Sequence, residues 1–245
     1  MEKALSHQIK DFNDFKSVSK HFGIEINNNQ LILFKKYYEI ITDWNQKINL
    51  ISRRFMPWHE STGENNPILE KHFLDSILFL PETENLPWGK EPFAPTVFDI
   101  GSGGGFPAIP LAIMKPEWKF TLCESTKKKA IFLTHLIKEL GLEKNVNIIN
   151  NRVEACYSMP LQSNMKFNIV TVRAVDKLDV LIKYALPLLK PNGYLLAYKS
   201  KDFQDEINNA QKIIDKNKLL LKIYSKELNG VERRLVVIRH CEESA

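Results

Sequence analysis

The sequence predicts an α/β fold: a mostly parallel sheet of seven strands whose last strand is antiparallel, preceded by a helical N-terminal extension. Three observations predict it. From about residue 96 onward, short apolar runs alternate with amphipathic helical patterns, which is the signature of βαβ units. A glycine cluster, "GSGGGF", follows the first of these runs directly. The last two apolar runs are separated only by Asn229 and Gly230, a pair suited to the tight turn of a hairpin.

In "LILFKKYYEIITDWNQKINL", Leu31, Phe34, Tyr38, Ile41 and Trp44 recur at helical spacing and predict an amphipathic helix with one face to bury. The polar stretch that follows contains Pro57, Gly63 and Pro67 and reads as a surface loop. A second helix is expected over "LEKHFLDSILFL", ending at Pro81, and the proline-rich "PETENLPWGKEPFAP" closes this part like a linker. Residues 1–90 are therefore read as an extension packing on a core domain of residues 91–245. In that domain "TVFDI", "KFTLCE", "VNIIN", "FNIVTV" and "GYLLAYK" are the expected strands. "TKKKAIFLTHLIKEL" and "LDVLIKYALPLL" are helices between them, and "LLLKIYSKEL" with "RRLVVIRH" forms the hairpin. The segment "LLKPNGYLLAY" reads as a helix end, a turn and a strand.

Composition excludes several classes. Hydrophobic residues are 44% and charged residues 26% of the 245, values that collagen-like, coiled-coil and wholly disordered chains do not have. No apolar run approaches the ~20 residues of a membrane span. The N-terminus is too polar and acidic for a signal peptide, so a cytoplasmic protein is expected. Cys123, Cys156 and Cys241 form no C-x-x-C pair and the histidines no ligand spacing, so no metal is expected and the thiols read as buried. The net charge of +5 gathers in "SRRF", "STKKK", "YKSK" and "VERRL", clusters able to meet phosphates.

The glycine cluster lies where open α/β sheets bind ligands, at the carboxyl end of a strand. Gly101, Gly103 and Gly105 allow tight turning and close approach to the backbone. A dinucleotide fingerprint needs glycine where Phe106 stands, and no P-loop lysine follows. What remains is D-x-G-x-G-x-G beginning at Asp99, which is similar to the first motif of class I S-adenosylmethionine-dependent methyltransferases. Glu124, ending the next strand, is placed to accept both hydroxyls of a ribose; equally, it is placed as an N-terminal carboxylate of the following helix. In "INNRVE", the amide of Val153 and the carboxylate of Glu154 suit an adenine. Arg173 suits a cofactor carboxylate or an RNA phosphate, or a salt bridge to Asp99 or Glu154. His72 and Asp75, one turn apart, read as a helix-face hydrogen bond or a cap to the sheet domain.

"DWNQKINLIS", "KHFLDSI", "FDIGSGGGFPAIPLAI", "FTLCES", "NRVE", "VTVRAV", "LLAYKS" and "ERRLVVI" together resemble, in this order, the bacterial 16S rRNA guanine-N7 methyltransferase family, also called methyltransferase G or glucose-inhibited division protein B. The resemblance runs from about Trp44 to His240. It implies a class I, Rossmann-like methyltransferase fold, S-adenosylmethionine as methyl donor, and one guanosine in the decoding region of 16S rRNA, in the small ribosomal subunit, as acceptor. By the same resemblance Gly101 and Phe106 contact the cofactor, Val153 and Glu154 hold its adenine, and Arg173 stands close to the methyl-transfer site. Arg152, Lys199 and Arg233 face the RNA. The chain is expected to act as a monomer, without metal or membrane. A small-molecule methyltransferase and a non-catalytic RNA-binding assembly factor are the alternatives; the dispersed basic clusters argue against the first and the intact glycine loop against the second.

Overall fold

The computed structural model describes residues 8–52, 65–84, 86, 94–157, 165–173, 175–199 and 204–241. The polar stretch from Arg53 to Pro67 and the linker before residue 94 fall mostly outside these residues.

Two helices open the chain, α1 (Phe12–His21) and α2 (Asn28–Lys47). Their starts are written in the sequence. The Asp11 side chain accepts from the amides of Asn13 and Asp14, and Asn27 with Gln30 forms a reciprocal capping box, so the first-turn amides are satisfied. A π-helix, Leu69–Leu74, then runs into the short α3 (Asp75–Ile77), and α4 (Leu80–Glu84) follows. The single helix expected here is thus divided. The carbonyls of Lys71 and His72 accept from Arg173, and that of His72 also from the Ser76 hydroxyl; side-chain donors inserted into a helical ladder loosen its winding. Pro81 lies in the first turn of α4 instead of ending a helix, because proline's missing N–H is tolerated there.

The sheet is formed by β1 (Thr96–Ile100), β2 (Lys119–Cys123), β3 (Val146–Ile149), β4 (Phe167–Arg173), β5 (Leu189–Lys199), β6 (Leu219–Leu228) and β7 (Val231–His240), in the order β3-β2-β1-β4-β5-β7-β6. Among these strands β7 alone points opposite to the others, antiparallel to β5 on one side and β6 on the other. The β6–β7 hairpin turns where expected, with positive φ at both Asn229 and Gly230. Connecting helices are α5 (Ala108–Met114), α6 (Lys127–Leu140), α7 (Val153–Cys156), α8 (Leu178–Ala185) and α9 (Gln204–Lys216). The α8 helix stops four residues before the expected end, since Pro187 forces Leu186–Leu188 into a 3-10 turn. The turn expected at Lys190 to Gly193 is absorbed within β5, where the pairing jumps from Phe167–Leu189 to Ile169–Tyr194.

Alternate residues of each strand feed two apolar layers. Val97, Phe120, Ile169, Leu196 and Val237 face α5, α6 and the N-terminal helices, while Phe98, Val170, Leu195, Ala197 and Val236 face α7, α8 and α9. The extension therefore shares a core with the sheet. The α2 face toward that core is Phe34, Tyr37 and Ile41, fully buried, with Leu31, Tyr38 and Trp44 only packed against it. Trp44 nevertheless sits in the interior as its stripe implies, edge-on to Phe132 at 5.6 Å.

Candidate functional site

Parallel register sets the site. Ile100 pairs with Cys123 on one side and Val172 on the other, and Cys123 pairs with Ile149. The strand ends are level, so the glycine loop, Glu124, Asn150 and Arg173 begin at one edge of the sheet. Within the loop Gly101, Gly103 and Gly105 all have positive φ, 69°, 53° and 94°. They differ in what surrounds them. A Cβ on Gly101 would come within 2.8 Å of Val175, and one on Gly105 within 2.7 Å of the Tyr37 hydroxyl. On Gly103 it would meet only the Gly101 carbonyl, at 3.7 Å. The outer glycines are thus required by the protein's own packing, whereas the middle one borders open space.

The loop is held from three directions. Amides of Gly101 and Ser102 donate to the Cys123 carbonyl at 2.9 and 3.1 Å, and the Tyr37 hydroxyl donates to the Gly104 carbonyl. The third holder is Glu124, whose Oε2 accepts from the Gly103 amide at 2.9 Å and whose Oε1 accepts from the Thr126 amide at 2.7 Å. Thr126 is the N-cap of α6, so Glu124 braces that helix start and reaches the glycine loop at once. Below the loop, Asp99 is 1% exposed. Its Oδ1 accepts from the Thr171 hydroxyl at 2.6 Å, and Oδ2 has no hydrogen-bond partner among the described residues. Burial pushes its carboxyl up to about 7, because charge is disfavoured away from water. Val153 is buried at the start of α7, and Glu154 beside it is exposed.

Other expected site residues have different surroundings. The Phe106 ring stacks on Tyr37 at 5.4 Å and lies 4.8 Å from the His72 ring, which commits it to the extension; only its backbone is left for the loop. The salt bridge considered for Arg173 is real, but its partner is Asp75 of the extension, not Asp99 or Glu154. His72, on the π-helix, packs against the Phe106 ring, and burial, with Arg173 and Lys71 nearby, lowers its imidazole to about 3.

The basic residues expected to face RNA divide. Arg152 is exposed at the N-cap of α7. Lys199 is tied to Glu206 at 2.6 Å and to the Asp176 carbonyl at 3.1 Å. Arg233 overturns its expectation: it is 6% exposed, with Nε on Asp75 at 2.7 Å and Nη2 near Glu70 at 3.5 Å. It alternates with outward residues of β7, and Glu70 of the π-helix with Asp75 of α3 draws it inward. Arg233→Ala is accordingly expected to destabilise the fold by roughly 3 kcal/mol, the cost of stranding buried carboxylates, and to leave the salt dependence of RNA binding unchanged. Denaturant unfolding and binding at several salt concentrations check both parts.

Cys123 and Cys156, distant in sequence, come to 3.7 Å between sulfurs, both buried and free. Among the described residues no cluster of three metal-ligating side chains occurs, and no helix is long and apolar enough to cross a membrane. Sequence reasoning missed Tyr37 and Thr171, which hold the glycine loop and Asp99. Tyr37 lies one position off the predicted apolar stripe, and its hydroxyl gave no signal of a loop contact more than sixty residues away.

The family model for rRNA small subunit methyltransferase G matches residues 30–236. The ribosomal RNA small subunit methyltransferase G of Lactococcus lactis subsp. lactis is 35% identical over 234 residues, covering 94% of this chain and 91% of that protein. The protein of the same name from Lactobacillus johnsonii is 37% identical over 195 residues, covering 79% and 75%. Among solved structures, the O-methyltransferase from Bacillus cereus in complex with SAH is similar in fold, with a TM-score of 0.56 and 14% identity over 94% of this chain and 100% of that one.

Proposed function

The chain belongs to the rRNA small subunit methyltransferase G family, and on that premise we propose that it transfers a methyl group from S-adenosylmethionine to N7 of one guanosine in the decoding region of 16S rRNA. It acts in the cytoplasm, as a monomer, on RNA within the small ribosomal subunit. The observation that carries this reading is the pairing, at one edge of the sheet, of an open glycine, Gly103, with a carboxylate, Glu124, already hydrogen-bonded to it.

The residues fit the cofactor. Each Glu124 oxygen accepts one amide and retains a lone pair for a ribose hydroxyl. The Val153 amide and Glu154 lie at the neighbouring strand end for an adenine, and Gly101 with Gly105 gives the loop its shape. Asp99 supports the loop from beneath. Bound, the cofactor supplies a methyl group on a positively charged sulfur. Guanine N7 offers an in-plane lone pair and no proton, so the protein's task is placement, without a general base. His72, buried and lowered to about 3, is no proton acceptor at neutral pH, in keeping with that chemistry. Arg173 meets an anion, the cofactor carboxylate or an RNA phosphate, and Arg152 a phosphate of the RNA.

The experiment is methyl transfer to three RNAs of one sequence: the small subunit, a single strand and a perfect duplex. N7 lies on the major-groove edge, and in A-form RNA that groove is too deep and narrow to enter. Duplex is therefore expected to react at least about a hundredfold more slowly than the subunit, the equivalent of an opening cost of a few kcal/mol. Equal rates on all three would reject recognition of a folded target, and methyl found elsewhere than N7 by nucleoside analysis would reject the reaction itself.

A further inference from the structure

Four ionic side chains meet between the extension and the sheet: Glu70 on the π-helix, Asp75 at its end, Arg173 at the end of β4 and Arg233 on β7. Their side-chain exposures are 5%, 11%, 18% and 7%. Asp75 is the hub, with Oδ1 accepting from Arg233 Nε at 2.7 Å and Oδ2 from Arg173 Nη2 at 3.4 Å. Behind it, Glu70 Oε1 faces Arg233 Nη2 at 3.5 Å, and Glu70 Oε2 accepts from Asn65 and Asn229 at 2.9 and 3.1 Å. Arg173 donates further to the carbonyls of Lys71 and His72 and to the Ser76 hydroxyl.

Stability does not account for this group, because buried ion pairs recover little more than the cost of taking both charges from water, and apolar residues of like volume often do better. What the group provides is direction. Arg173 is the most exposed of the four, and it alone ends a strand at the ligand edge. Val175, two residues on, lies against Gly101 of the glycine loop. A guanidinium on a flexible stem points in many directions until a fork of acceptors fixes it.

We propose that Asp75 is a positioning residue for methyl transfer: it holds Arg173, and is itself held by Arg233 and Glu70, so that the guanidinium points at an anion beside the glycine loop. The inference rests on the function proposed above. The anion is a carboxylate of the cofactor or a phosphate of the RNA, and the two sources separate in the measurements.

Asp75→Asn keeps the shape and removes the charge. Its fold is checked by circular dichroism and thermal unfolding, its affinity for S-adenosylmethionine by calorimetry, and its kcat and KM on small subunits by methyl transfer. A folded protein whose kcat/KM falls at least about tenfold is expected. The loss accompanies weaker cofactor binding if the anion is the carboxylate, and a raised KM for subunits if it is the phosphate. Arg173→Lys should show a loss of its own, and the double variant should be no worse than Arg173→Lys alone, because Asp75 acts through that arginine. Unchanged kcat/KM in folded Asp75→Asn, or losses that multiply in the double variant, would overturn the proposal. Should Asp75→Asn not fold, Asp75→Glu, which moves the carboxylate by one methylene, undergoes the same cycle. The wild-type protein on the same subunits separates the two ideas: no N7 methyl there defeats the function, whereas normal transfer by wild type and variant alike defeats only the positioning.

Discussion

A Gly103→Val variant is expected to fold and to lose measurable affinity for S-adenosylmethionine. Gly103 has φ of 53°, so a β-branched residue there costs about 1–2 kcal/mol in the backbone. No protein atom stands nearer to the new Cβ than 3.7 Å, so the loop itself has room for it. The branch instead fills the open side, where the cofactor is proposed to pass. Gly141 supplies the control. It too has positive φ, 68°, with nothing within 4 Å of a Cβ, but it ends α6, at the opposite edge of the sheet from the glycine loop. Gly141→Val should therefore show similar backbone strain and normal affinity by calorimetry. Retained affinity in folded Gly103→Val would refute the assignment of this loop.

The second large effect concerns pH. Asp99, held at about 7 against 3.8 when exposed, keeps its proton in the folded state while the unfolded chain has lost it. From pH 4 to 7 the native state thus binds more protons, and stability falls as pH rises, by about 4 kcal/mol over the whole window. His72 is the reverse. Lowered to about 3 from 6.5, it stays neutral in the fold while the unfolded chain is protonated, so stability rises with pH from 3 to 6.5, by about 5 kcal/mol. The two slopes oppose each other between pH 4 and 6.5 and largely cancel in the native protein. Asp99→Asn should uncover the rising limb and His72→Gln the falling one. Denaturant unfolding at pH 4.5, 5.5 and 6.5 measures both relative to wild type; parallel pH dependence in all three proteins would contradict the assignment.

The sheet is legible in the sequence because each strand is a short apolar run between breakers, and the edge that carries the candidate site because glycines and an acid follow the first two runs. Glu124 is legible for the same reason: it ends a strand, and parallel register levels the strand ends. What escapes is whatever depends on contacts between distant segments. Arg233 looks like a surface cation in "VERRL", since nothing local reveals that Glu70 and Asp75 will stand over β7. Arg173 pairs with Asp75 and not with either acid considered for it, because the extension is invisible to reasoning within the sheet. Phe106 is read as a loop residue, yet Tyr37 and His72 claim its ring. The helices α1 and α9 go unpredicted. Both are nonetheless legible: Phe12, Phe15 and Val18 in α1 and Ile207, Ala210, Ile213 and Ile214 in α9 recur at helical spacing, and Asp11 caps α1.

The placement of β7 affects the order in which the molecule can be completed. Emerging from the ribosome after β6, it must insert between β5 and β6. Strands β1 to β4, with the glycine loop and Glu124, can pair while the rest of the chain is still being made. Arg233 arrives with β7, and until then Glu70 and Asp75 lack that counter-ion and β5 has an open edge. A nascent or truncated chain is thus able to present a formed glycine loop beside an Arg173 whose partner Asp75 still lacks its second arginine. Maturation of the site then has two stages, separated by the synthesis of a single hairpin.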